Sequence, residues 1–171
     1  MKEENVLHII EKAAKHQKLD VSFFKASEQV PYDSLVVFLG VDNQNRLYAL
    51  NVTVQKQILD PKKESGLFRV EFKVKLPFKI EDFSFSQTSN LVALLNHFLD
   101  LPGLEVNEVN RELFYRYVLL ADEKGLNENL IVGLMGMIKF ILDIHAPSLE
   151  NVATGKMSYD ELLEQALKVT I

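Results

Sequence analysis

No cysteine occurs among the 171 residues, which excludes disulfides, thiolate metal sites and a cysteine nucleophile together. The 7 glycines never form the G-x-G-x-x-G or phosphate-loop pattern that offers backbone amides to phosphate, so the familiar nucleotide folds are excluded as well. No G-x-S-x-G elbow is present, and Ser84, Ser86 and Ser89 stand at the approach to a helix, where capping is the simpler role. The 4 histidines are His8, His16, His97 and His145. None has a second histidine at the spacing of a helical zinc motif, and Asp143 falls on a different helix face from His145. Glu105, Glu108, Glu112, Asp122 and Glu123 flank a strand pair. Acids do general acid and base work only where burial separates their pKa values, so a solvated rim is expected. The expectation is no catalytic residue, no metal site and no cofactor.

Positive charge is also scarce: 19 Lys and Arg stand against 24 Asp and Glu, a net charge of -5. Arg69, Lys73 and Lys75 share a strand face with Glu71, so their stripe is mixed and is not a track for phosphates. Nucleic acid is not an expected partner. The start, Met1-Lys2-Glu3-Glu4-Asn5, lacks the apolar stretch of a signal peptide. The longest apolar run, Leu130 to Ile144, is interrupted by Lys139 and Asp143 and falls short of the roughly 20 residues of a membrane span. A cytoplasmic protein without a membrane partner is expected.

What is present suits a packed core: 47% of residues are hydrophobic and 25% charged, the balance of an ordinary globular protein. One domain over residues 1–171 is expected. Residues 3 to 17 place Val6, Leu7, Ile9, Ile10, Ala13 and Ala14 at helical spacing. A short strand fits Asp20 to Lys25, followed by loop chemistry around Pro31 and Asp33. Leu35 to Val41 and Leu47 to Gln55, joined by Asp42-Asn43-Gln44-Asn45, form the clearest hairpin. A polar connection over Lys62 to Gly66 leads to a strand from Phe68 to Leu76, whose alternation is complete.

Ser89 can cap a helix carrying Leu91, Leu94, Leu95, Phe98 and Leu99, which should stop at Pro102 and Gly103. Leu104 to Val109 and Glu112 to Leu120 then read as paired strands. A long apolar helix runs from Asn127 to His145 and is expected to end at Pro147. Ala146 to Met157 should be a loop or a single turn. Ser158 with Glu161 makes a capping box for a terminal helix at about 158–169. Grouped helices and strands argue for an α+β fold with an antiparallel sheet of five to six strands, flanked by helices.

Within the long helix, Gly133 and Gly136 each cost about 1 kcal/mol relative to alanine, which suggests a close approach. Leu130, Leu134, Met137, Ile138 and Ile141 can face the sheet. Ile131, Met135 and Leu142 then need cover from another helix, a dimer contact or a client.

The strand Leu113-Phe114-Tyr115-Arg116-Tyr117, Gly125 ahead of the helix, Phe140, Asp143, Pro147 and Val152-Ala153-Thr154-Gly155 resemble the YbjN-type domain and the related type III secretion chaperone fold. The likeness implies a strongly twisted, helix-flanked antiparallel sheet, no cofactor, and work as a chaperone, regulator or adaptor. The extra terminal helix and longer first hairpin depart from a compact secretion chaperone. The expected partner is another protein, client or regulatory, with a homodimer as a further option; Phe68, Phe72, Tyr115, Tyr117, Met135 and Met137 are the candidate protein-binding residues. Rival expectations are a regulatory or immunity-type adaptor that binds a folded partner, and a small-molecule binder with a cavity between sheet and helices.

Overall fold

The computed structural model describes residues 3–28, 31–60, 65–122 and 126–169. The expectations for Gly125, Glu123 and the connection over Lys62 to Glu64 lie outside the described residues. In chain order the elements are α1 (Glu3–His16), β1 (Val21–Phe24), β2 (Ser34–Val41), β3 (Leu47–Asp60), β4 (Ser65–Lys79), α2 (Phe85–Phe98), β5 (Leu104–Asn107), β6 (Glu112–Ala121), α3 (Glu128–Ala153) and α4 (Tyr159–Val169). The fold is α+β. Its six strands make one antiparallel sheet in the order β1-β2-β3-β4-β6-β5.

Alternation decides which side of each strand is dry. Leu50, Val52 and Val54 of β3 and Phe68, Val70, Phe72, Val74 and Leu76 of β4 are buried, while the residues between them are more accessible. The β2–β3 turn is held by Asp42, whose Oδ1 accepts the amides of Gln44 and Arg46 at 2.8 and 2.9 Å. Asn45 supplies the left-handed residue at φ 60, a conformation its short polar side chain tolerates. β3 continues past Gln55 to Asp60 because its ladder with β4 holds as far as Asp60 opposite Ser65.

Contacts divide the chain into two compact units, one of Met1–Val74 with Arg116–Lys139 and one of Lys75–Tyr115 with Phe140–Ile171. In the first, α1 turns Val6, Leu7, Ile10, Ala13 and Ala14 inward and packs against β1, β2 and β3. Lys12 and His16 of α1 both reach Glu128 at the start of α3. On the polar side of the strands, Glu71 takes both Arg69 and Arg116.

In the second unit, Asn96 of α2 accepts the amides of Gly103 and Leu104 on its Oδ1 and donates its Nδ2 to the Leu104 carbonyl. One side chain thereby fixes the passage from α2 into β5. The Tyr115 hydroxyl donates to the Leu101 carbonyl at 2.8 Å. α4 begins at Ser158 as its capping box predicts, with the Ser158 amide on Glu161 Oε2 at 2.7 Å and the Glu161 amide on Ser158 Oγ at 3.2 Å. It packs against α2.

Three local expectations are corrected. Pro147 does not end α3; it lies inside a helix that runs to Ala153, so there is no loop over Ala146 to Ala153. A helix-interior proline costs about 3 kcal/mol. Burial of Leu149, Val152 and Ala153 beyond it, and of Ala146 just before it, offsets this, at up to ~2 kcal/mol for each larger apolar side chain. Ser89 is not a cap. A 3-10 turn over Asp82–Ser84 runs straight into α2, which starts at Phe85. Ser89 therefore sits one turn inside and donates to the Phe85 carbonyl. Ser84 occupies the cap position with helical dihedrals and makes no side-chain cap bond.

The third correction concerns glycine. A Cβ added at Gly133 or Gly136 would meet nothing within 4 Å, so no close approach among the described residues explains either glycine. Gly155 is the opposite case: it has φ 70, and a Cβ there would collide with the Phe83 ring. In urea unfolding, Gly133→Ala and Gly136→Ala should each raise stability by up to ~1 kcal/mol. Gly155→Ala should lower it by roughly 2 kcal/mol through backbone strain and overpacking.

Candidate functional site

The six candidate binding residues do not share a surface. Phe68, Phe72, Tyr115 and Met135 are buried and have no accessible side chain to offer a partner. The alternation of β4 and β6 sends the three aromatic rings inward. Tyr117 is half-buried on β6, and only Met137 is exposed, at 38%.

The face assignment along α3 is also corrected. Ile131, Met135 and Leu142, the residues expected to need outside cover, are among its most deeply buried. Leu134, Ile138 and Ile141 are buried too. Leu130 and Met137, expected to face the sheet, are exposed. With them along the helix come Phe140 at 57% and Ile144 at 49%. The spacing 130, 133, 137, 140, 144 alternates three and four residues and keeps all five positions on one stripe of a helix. Gly133 occupies the second position, and Gly136 lies beside it, also exposed. The result is a narrow apolar strip with a bare patch of backbone near one end.

By length and composition α3 could cross a membrane: its most apolar window has a mean hydropathy of 1.6, and 39% of that window is buried inside the protein. The apolar run from Leu130 to Ile144 is shorter than the helix, which continues through Pro147.

A separate feature lies in the first unit. The first turn of α1, the approach to β2 and the middle of β3 enclose an open cavity of about 490 Å³, lined by Glu3, Glu4, Tyr32, Asp33, Gln55 and Lys56 among others. Lys25 bridges Glu4 at 2.8 Å and Asp33 at 3.0 Å. The hydrogen bond and charge of Lys25 hold the Glu4 carboxyl below its usual range. For Asp33 the amide of Ala26, 2.8 Å from Oδ1, is the first cause of the same shift and Lys25 the second. The bond to Glu4, then that to Asp33, raises Lys25.

Of the acids flanking the second strand pair, Glu112 is bound by Lys75. Among the described residues no group of three His, Asp or Glu could hold a metal ion. Comparison with models of protein families and with curated proteins finds no match to this chain. Residue chemistry therefore has to carry the assignment. The exposed strip escaped the sequence reading through a choice of phase. Its three-four spacing was visible, but the buried stripe beside it is equally apolar.

His145 is half-buried on α3, and loss of solvent holds its pKa below the ordinary 6.5. The folded state then binds a proton less readily than the unfolded chain. Its contribution is complete above pH 6.5 and fades as pH falls through that value toward the lowered folded pKa. The urea midpoint of the wild type should therefore fall between pH 7 and pH 5, and His145→Gln should show a smaller fall over the same interval.

Proposed function

We propose that this chain is a non-enzymatic protein-binding module, a chaperone or adaptor of the YbjN or type III secretion chaperone type, and that it takes its partner on the exposed strip of α3. One observation carries the reading. Leu130, Met137, Phe140 and Ile144 are exposed on a single helix stripe that also holds Gly133, with Gly136, likewise open to solvent, beside it. Each glycine weakens the helix by about 1 kcal/mol, and no contact within the described chain offsets that cost. A second body laid along the strip would do so, since absent side chains let backbones come close.

The chemistry of the strip suits a protein partner. Phe140 is a large anchor of the kind that dominates interface energetics, and Met137 adapts to irregular partner surfaces. An apolar helix face of this kind binds a complementary helix or groove. In this reading the protein works in the cytoplasm, needs no cofactor, and binds neither nucleic acid nor membrane. A second copy of the chain is one protein that could fill the strip.

A photo-crosslinking amino acid at Phe140, compared with one at the exposed Lys79, tests the reading in cells that make the protein. The expected outcome is a discrete protein adduct from Phe140 that is absent from Lys79. Met137→Glu should abolish it while leaving the urea midpoint within the ~0.5 kcal/mol typical of surface changes. Identical adducts at both positions would overturn the reading. So would flotation with lipid vesicles that Met137→Glu abolishes, without any protein adduct.

A further inference from the structure

β2 pairs with β3 only as far as Ser34 opposite Thr53, whereas β3 runs on to Asp60, its β4 ladder regular as far as Ile58 and shifted in register between Ile58 and Asp60. The neighbours of β3 in the sheet are β2 and β4, so among the described residues no strand pairs with its β2 side beyond Thr53. Unpaired strand edges present a row of amides and carbonyls that a further strand can use. The Lys56 amide points out of this edge and donates to Glu3 Oε1 at 3.3 Å. A carboxylate oxygen from the first turn of α1 thus stands where a neighbouring strand would place a carbonyl. Alternate residues of a strand share a direction, so the main-chain groups of Val54 and Ile58 face the same way.

The 490 Å³ cavity lies directly beside this edge, since Val54, Gln55 and Lys56 form one of its walls. Its other walls bring the carboxylates of Glu3, Glu4 and Asp33 together with Pro31 and Tyr32. Lys25 already satisfies two of those carboxylates, which shows that the set accepts an ammonium group. Counting Lys25 and Lys56 against the three acids leaves one negative charge, in a protein that is itself acidic.

We propose that the β3 edge from Val54 to Ile58 takes an extended peptide segment by strand addition, with a lysine or arginine of that segment set into the acidic cavity. The incoming carbonyl replaces Glu3 at the Lys56 amide, and the displaced carboxylate meets the basic side chain. Glu3 is thereby both the plug of the empty edge and a partner in the filled one. Main-chain pairing gives affinity and the pocketed side chain gives selectivity. The inference goes beyond the α3 reading and does not depend on it, because a partner on α3 needs nothing from this edge.

The test uses the full chain and a labelled probe, an acetylated and amidated heptapeptide of alternating threonine and valine with arginine at its centre. Fluorescence anisotropy should show saturable binding. The same peptide with a central glutamate should bind roughly tenfold more weakly at low salt, as expected when attraction becomes like-charge repulsion. Amide exchange followed by NMR should slow at Val54 and Lys56 by about tenfold or more when the probe saturates, because bound amides exchange only on opening. Lys56→Pro removes an amide that faces away from β4 and should abolish binding. Should that variant fail to fold, the exchange map of the wild type decides alone. Equal binding of the glutamate peptide, protection confined to another strand edge, or no binding at all would overturn the proposal.

Discussion

The long antiparallel pairing of β3 with β4 is the constraint on which the rest of the molecule depends. Its register sets Leu50 opposite Val74, Val52 opposite Phe72 and Val54 opposite Val70, and every one of these side chains is buried. Because the side-chain period of a strand is two, a slip of one residue would carry this whole row to the polar side. The charged residues between them, with Glu71 tied to Arg69 and Arg116, would be forced inward by the same slip. The cost of burying those charges fixes the register from both sides.

α1 packs on β3, and it differs from α3 in how its surface is used. α1 is short and two-sided, with its buried residues on one stripe and charges on the other. α3 is apolar over most of its circumference, so internal packing consumes one stripe and leaves another exposed. Glycine and proline within α3 have separate meanings. Pro147 is tolerated because the turns beyond it are anchored by burial. Gly133 and Gly136 are not compensated by any neighbour among the described residues, and that asymmetry is what singles out the strip around Met137 and Phe140.

Most of the fold was legible in the sequence wherever alternation or spacing had one interpretation. β4 alternates without a fault from Phe68 to Leu76, and Ser158 with Glu161 marks the start of α4 by a reciprocal hydrogen-bond pattern. Legibility failed where two local signals competed. At Pro147 an intrinsic helix penalty was outweighed by tertiary burial that a single sequence does not display. At Ser89 a good capping residue was overtaken by a 3-10 turn starting three residues after Lys79. The binding face was misread for a different reason: α3 carries two adjacent apolar stripes, and hydrophobicity cannot say which one the sheet will take. The β3 edge left no mark in composition, since it depends on the difference in length between β2 and β3.

Each contact unit is assembled from two stretches far apart in the chain: the first needs Arg116–Lys139 to complete Met1–Val74, and the second needs Phe140–Ile171 to complete Lys75–Tyr115. On a ribosome, the apolar row of β3 and β4 is therefore made before Arg116–Lys139 is available to complete its unit. Closing such separated stretches is slow in entropic terms, and an uncovered strand face is prone to association while it waits. The first unit accordingly stays incomplete throughout the synthesis of Lys75–Tyr115.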